Sequence, residues 1–250
     1  MKPPPFKYHG PTSIDDACDL LSSLEDAKVL AGGQSLVPLL NFRLARPAHI
    51  VDINRLPELA RIYERDGGVA MGALARQAAV EDSDLVARIC PLLTKAIGLV
   101  AHRVIRNRGT VCGSLAHADP ASELPAALLA LGGHVIALST RGQRVIPAAE
   151  LFKGVFETAL APDELLVEAW FPAPSGVFAI AEESRRHGDF ALAGVVRVAD
   201  RLALFGVAPT PVLVDARDPT RGLKPSGDLE ATPEFRLHLV KVLAKRVLAA

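Results

Sequence analysis

The chain has 250 residues, 50% of them hydrophobic and 22% charged, which is enough to build one large domain or two modest ones. Lys plus Arg and Asp plus Glu balance at 28 each, which leaves no basic field to gather nucleic acid or an anionic membrane surface. Residues 1–5 lead into no apolar signal segment and no apolar stretch has the length of a membrane span, so a cytoplasmic protein is predicted.

Cysteine spacing argues against a metal centre on this chain. Cys18, Cys90 and Cys112 lie far apart and form no C-x-x-C pair, so the usual ligand spacing of zinc or iron–sulfur sites is missing. Any iron–sulfur chemistry would therefore lie on another chain. Aromatic residues make up only 5%, with one Trp, which disfavours a stacking platform for single-stranded nucleic acid.

The N-terminal pattern predicts a small βαβ unit. An amphipathic helix within residues 12–24 precedes a strand at 27–30, and Gly32-Gly33 follows that strand. Ser35 is then predicted to cap a helix at 36–40, with Pro38 in its first turn, where a missing N–H costs nothing. A second strand is predicted at 49–53, which completes the unit.

The rest of the chain alternates strands and helices. After a strand at 69–73 we expect one helix over 83–100, a long polar loop from Arg103, and a helix from Ser122 to Gly132-Gly133. The C-terminal helix should bury a stripe containing Phe235, Leu239 and Val247 and keep Arg236 off it. Further strands are predicted at 135–139, 144–146 and 165–171, a linker at 172–176, and a hairpin from 190–196 and 202–207.

Two loops are candidates for binding chemistry. In residues 28–36, two glycines stand between a strand and a helix start, where free backbone N–H groups favour an anion such as a diphosphate. An ordinary Gly-Gly turn is the alternative, because the segment is neither G-x-G-x-x-G nor a P-loop. Residues 105–123 form a long run of small, polar and charged residues, typical either of close approach to a phosphate or ribose or of a surface Ω-loop.

Several segments in the same order resemble one known family. They are Ala31-Gly32-Gly33-Gln34-Ser35-Leu36, residues 43–47, 51–53, 105–123, 185–192 and 206–211. Together they are similar to the FAD-binding medium subunit of the molybdenum hydroxylases. This family includes the carbon monoxide dehydrogenase flavoprotein, the medium subunits of nicotine, aldehyde and aromatic hydroxylating enzymes, and the FAD region of xanthine dehydrogenase.

The resemblance implies a fold and a set of FAD contacts. The fold would be a mixed α/β (α+β) FAD-binding domain of the vanillyl-alcohol-oxidase type over 1–174, with subdomains at about 1–57 and 58–174, and a small sheet-and-helix domain over 177–250. No catalytic side chain is predicted, because spacing shows no catalytic grouping and the cofactor would carry the redox reaction, and no metal site is predicted. The implied FAD contacts are Lys28, Ala31, Gly32, Gly33, Gln34, Ser35, Leu36, Thr110, Gly113, Ser114, His117, Asp119, Glu123, Leu165 and Leu166.

The resemblance also implies a role. A large molybdopterin subunit would oxidise the substrate, a small subunit would hold two [2Fe-2S] clusters, and this chain would pass electrons through FAD to an external acceptor, as part of a heterotrimer that dimerises. The alternative is a flavin-free structural subunit of the same complex. Cys112 motivates this alternative, because relatives usually have Gly at this position. If the backbone there is left-handed, a Cys is strained, and if a phosphate approaches closely, the thiol crowds it. Either effect would weaken FAD binding. The C-terminal domain also looks short by about a helix between Arg221 and Thr232.

Overall fold

A computed structural model describes residues 2–250 as a mixed α/β fold. The helices are α1 (Ile14–Ser23), α2 (Leu36–Asn41), α3 (Gln77–Glu81), α4 (Asp84–Ile89), α5 (Pro91–Leu99), α6 (Arg103–Arg106), α7 (Val111–His117), α8 (Glu123–Leu131), α9 (Ala148–Leu151) and α10 (Pro233–Ala249). The strands are β1 (Lys7–His9), β2 (Ala27–Leu30), β3 (His49–Asp52), β4 (Ile62–Arg65), β5 (Gly68–Gly72), β6 (His134–Ser139), β7 (Gly142–Pro147), β8 (Phe152–Gly154), β9 (Glu157–Thr158), β10 (Leu165–Pro172), β11 (Phe178–Ser184), β12 (Ala191–Val198), β13 (Arg201–Phe205) and β14 (Val212–Val214).

The predicted βαβ unit is confirmed. Strand β3 lies between β1 and β2 in a parallel three-stranded sheet, and α2 connects β2 to β3. The predicted capping role of Ser35 is wrong, because its backbone is already helical and its side chain makes no capping hydrogen bond. Strand β3 also ends one residue earlier than predicted, because Ile53 begins a short 3-10 helix. The Asp52 side chain caps this helix by accepting the amide of Asn54.

The second sheet is antiparallel, in the order β4-β5-β10-β6-β7. Beside it, the helix predicted over 83–100 is two helices, because Cys90 precedes a proline and leaves the helical region (φ −132°, ψ 65°). The predicted polar loop after Arg103 is also largely wrong, since α6 and α7 occupy much of it. Helix α8 ends at left-handed Gly132, as predicted.

The C-terminal part is a four-stranded antiparallel sheet, β11-β12-β13-β14, covered by α10. The predicted hairpin is confirmed as β12 and β13. The predicted face of α10 needs correction, because Arg236 is buried and Phe235 is 45% exposed. Arg236 donates to the carbonyls of Leu192 and Gly206 and pairs with Asp228, so it fastens α10 to the sheet.

One apolar core joins the larger sheet to the C-terminal sheet. Every residue of α8 is buried, and the same core cluster includes Val196 and Val198 of β12 and Phe205 of β13. A second cluster fills the space between the other face of the C-terminal sheet and α10. Across residues 2–250, no helix combines the length and apolar character needed to cross a membrane.

Candidate functional site

The two glycine-containing loops singled out from the sequence are in direct contact. A Cβ atom on Gly32 would lie 2.3 Å from the carbonyl oxygen of Arg108 and 2.9 Å from the Cα of Gly109. Backbone atoms cannot yield as the end of a side chain can, so any side chain at 32 forces the loops apart. The turn after β2 and the segment before α7 therefore form one surface.

The conformation of the first loop also requires glycine. Gly33 has φ +73°, in the left-handed region that disfavours β-branched residues, and a Cβ there would lie 3.1 Å from Leu30 and 3.2 Å from Val37. Four consecutive amides donate to no protein acceptor within residues 2–250: those of Gly32, Gly33, Gln34 and Ser35. This loop therefore has a row of donors available to an external acceptor.

Some hydrogen-bond donors of the second loop are already used within the protein. The Thr110 hydroxyl accepts the amide of Gly113 at 3.0 Å and so caps α7. A Cβ on Gly113 would lie 2.6 Å from that hydroxyl, which explains the glycine. Ser114 and Ser122 share a hydrogen bond of 3.0 Å between their hydroxyls. Thr110 thus keeps a hydroxyl proton to donate, whereas the Gly113 amide is already bound.

His117 and Asp119 lie beyond α7, around a strained turn. Ala118 between them has φ +53°, and its carbonyl accepts the amide of Phe156, which has φ +58°. The Phe156 ring stacks on His117 with centroids 4.9 Å apart. Burial lowers the pKa of His117 despite the nearby Asp119 carboxylate, which favours a neutral imidazole. Asp119 accepts the amide of Ala121 at 2.9 Å.

Glu123 is a buried carboxyl group at the start of α8. Burial is the main cause that raises the pKa of Glu123 to about 8, and the charge of Glu182 on β11 adds to it. Burial likewise raises the pKa of Glu182 to about 7, and its Oε2 atom has no hydrogen-bond partner in the described chain. The carboxyl groups of Glu123 and Glu182 are thus close enough to interact, and burial favours their neutral forms.

The remaining predicted contacts lie elsewhere in the fold. Leu165 and Leu166 are on β10, paired with β6, and their side chains pack in the apolar core. Lys28 is exposed on β2, on the strand that leads into the first loop.

The left-handed backbone considered for Cys112 is not observed. Cys112 has no positive φ; it lies within α7 and is 2% exposed. Its thiol points to the Met71 carbonyl, 3.6 Å away on β5, and burial raises the pKa of the thiol, so it stays protonated. The residue therefore fills the core without backbone strain, with its thiol directed at β5.

Sequence reasoning missed two residues that tie the loops together. Asn54 donates from Nδ2 to the carbonyl of Ala31 at 2.8 Å and accepts at Oδ1 from Arg76 at 2.6 Å. The other terminal N–H group of Arg76 donates to the Arg108 carbonyl at 2.7 Å. No local pattern marks these residues, because their partners lie more than twenty positions away in the chain.

The fold thus brings two glycine-containing loops into contact, with a row of free backbone amides on the first of them. Residues 4–174 match the family model described as the FAD binding domain in molybdopterin dehydrogenase. The chain therefore belongs to this FAD-binding family, its cofactor is FAD, and it is a component of an oxidoreductase.

Individual relatives agree with this family. The chain is 40% identical to the 6-hydroxypseudooxynicotine dehydrogenase complex subunit alpha of Paenarthrobacter nicotinovorans, over 100% of this chain and 95% of that protein. It is 40% identical to the carbon monoxide dehydrogenase medium chain of Hydrogenophaga pseudoflava, over 84% of this chain and 77% of that protein. Among solved structures, a chain of quinoline 2-oxidoreductase from Pseudomonas putida 86 superposes with a TM-score of 0.94 at 33% identity, covering 100% of this chain and 97% of that chain.

Proposed function

We propose that the two contacting loops hold the diphosphate of FAD. The observation that carries this proposal is the row of free amides at Gly32, Gly33, Gln34 and Ser35, beside a glycine turn that admits no side chain. Amides in such a row suit phosphate oxygens. The Thr110 hydroxyl is the donor that the second loop adds.

The other contacts implied by the resemblance belong to the same proposal. Four of these contacts lie within or next to the two loops: Ala31, Leu36, Gly113 and Ser114. Lys28 lies on the strand that leads into the first loop. His117, Asp119 and Glu123 would lie close to the flavin, ribityl or adenosine portion of FAD. Glu123 would contact the ribose, and its neutral form suits a hydroxyl partner. Leu165 and Leu166 could take part only through backbone atoms or by supporting the sheet, since their side chains are buried.

We further propose that the chain is the electron-transfer subunit of a multi-subunit molybdopterin hydroxylase or dehydrogenase. When bound, FAD would supply the redox chemistry, so that this chain would take electrons from the [2Fe-2S] clusters of a small partner and pass them to an external acceptor. A large partner would hold molybdopterin and oxidise the substrate. A cytoplasmic location, dimerisation of the heterotrimer, and the division into 1–174 and 177–250 are parts of the same proposal.

Flavin content separates this proposal from a flavin-free structural subunit. The purified complex should be yellow, with one FAD for each copy of this chain after acid release and quantification. A colourless complex that takes up no FAD on reconstitution would support the structural subunit instead. The placement of Cys112 in the core removes one of the two reasons for that alternative.

A single substitution tests the first loop. Gly33→Val should abolish FAD binding, because a β-branched residue resists φ +73° and alters the amide row. FAD titration beside a thermal melt separates loss of binding from loss of folding. Normal binding by a folded Gly33→Val variant would show that the loop is merely a turn.

A further inference from the structure

The guanidinium of Arg76 is bound only by neutral oxygens, and it lies beside the two glycine loops. It donates to Asn54 Oδ1 at 2.6 Å and to the Arg108 carbonyl at 2.7 Å. It forms no ion pair within residues 2–250. A guanidinium has five N–H donors, so three of them have no acceptor in the described protein.

No carboxylate in the described chain forms a direct ion pair with Arg76. Arg76 is half-buried, and burial together with the neighbouring Arg108 guanidinium lowers its pKa. Asp52 is the nearby carboxylate that acts in the opposite direction, but it accepts from Asn54 and from the Tyr8 hydroxyl rather than from Arg76. A half-buried cation without an anionic partner is unfavourable unless an anion binds beside it.

Arg76 is connected to both glycine loops through its two hydrogen-bond partners. The Arg108 carbonyl bound by Arg76 is the atom that would lie 2.3 Å from a Cβ on Gly32. Asn54, the other partner of Arg76, holds the carbonyl of Ala31 at the start of the amide row. The guanidinium therefore lies where the two loops meet, and it fixes their spacing.

We propose that Arg76 is a binding residue for the FAD diphosphate, supplying its counter-charge and, with Asn54, holding the two glycine loops at the spacing the diphosphate needs. This inference rests on the proposed function of those loops. Charge-assisted hydrogen bonds from arginine to phosphate are among the stronger polar contacts in proteins. Asn54 acts as a positioning residue in this arrangement, because it touches the loops through Ala31 and Arg76.

FAD titration of the full-length apoprotein at several KCl concentrations tests the proposal. Arg76→Gln should weaken FAD by about ten- to a hundredfold and reduce the dependence of affinity on salt. Arg76→Lys should keep the wild-type salt dependence and lose less than about tenfold. Arg217→Gln, which removes the same charge from an exposed arginine paired only with Asp215, is the matched control and should bind as the wild type does.

Several results would overturn the proposal. They are wild-type affinity and salt dependence in Arg76→Gln, equal losses in Arg76→Gln and Arg217→Gln, or a lysine variant no better than the glutamine variant. If Arg76→Gln does not fold, Arg76→Lys carries the test: a tenfold or greater loss of affinity, or loss of the salt dependence, contradicts the counter-charge role.

The loop site and the arginine can fail separately. If Gly33→Val binds FAD normally, both the proposed diphosphate site and the role of Arg76 are refuted. If Gly33→Val loses FAD while Arg76→Gln keeps it, the loops hold the diphosphate and only the inference about Arg76 is wrong.

Discussion

Replacing Cys112 by glycine should destabilise the fold and leave FAD affinity unchanged. The thiol lies in the core between α7 and β5, directed at the Met71 carbonyl, and the backbone at 112 is ordinary right-handed helix. Glycine therefore relieves no strain and opens no space near the loops. It removes buried atoms and adds backbone freedom in the unfolded chain.

The size of the effect follows from these two losses. Removing Cβ and Sγ costs roughly 1.6 kcal/mol at about 0.8 kcal/mol for each buried carbon-sized group. Glycine inside a helix costs roughly another 1 kcal/mol relative to alanine. The total of about 2–3 kcal/mol corresponds to a lowering of Tm by about 5–10 °C for a chain of this size.

Denaturant and thermal unfolding of the apoprotein measure the stability, and FAD titration measures the affinity. Cys112→Ala is the matched control: it keeps the helix propensity and should lose only about 1 kcal/mol. The reasoning fails if Cys112→Gly tightens FAD by about tenfold without loss of stability, because that result requires a strained or crowding Cys112.

Three other outcomes are expected. Gly32→Ala should abolish FAD binding, because its Cβ meets the Arg108 carbonyl, whereas Gly98→Ala, whose Cβ meets no atom within 4 Å, should bind FAD normally; equal binding by both would refute the close approach. The free energy of unfolding should fall as pH rises from about 4.5 to about 8, because burial beside Glu182 raises the pKa of Glu123 to about 8 and the protonated form is the one that the fold favours; a Glu123→Gln variant with the same slope would contradict this. FAD should bind more tightly than FMN, which lacks the diphosphate, and equal affinities in equilibrium titrations would remove the role given to Thr110.

Locally encoded features of the fold were predictable from the sequence. The strand before Gly32-Gly33, the left-handed end of α8 at Gly132 and the β12–β13 hairpin each depend on residues that are neighbours in the chain. The break of the 83–100 helix was equally local, since Pro91 excludes Cys90 from the helical region, and the apolar periodicity concealed it. The helices α6 and α7 were missed because small and polar residues carry no apolar period.

Features set by tertiary contacts could not be predicted in this way. Arg236 is buried because carbonyls of β12 and the turn after β13 converge on it, which an amphipathic helix pattern cannot show. Asn54 and Arg76 matter only through partners on other elements. The burial of the Cys112 thiol depends on its contact with β5, a strand about forty residues earlier in the chain. The glycine turn at Gly32 and Gly33 was recognisable from the sequence because it depends on a short local segment.

The core shared by α8 and the C-terminal sheet means that a boundary of sequence similarity near residue 174 is not a boundary of cooperative folding. A fragment ending there would expose the side of α8 that Val196, Val198 and Phe205 normally cover, and it would be prone to aggregate. Calorimetry of the whole chain should show a single transition rather than two. A hinge at the linker is likewise disfavoured, because swinging the sheet away would expose the same apolar side chains to water. The C-terminal sheet is therefore expected to stay fixed against α8 and the larger sheet, rather than to move as a separate domain.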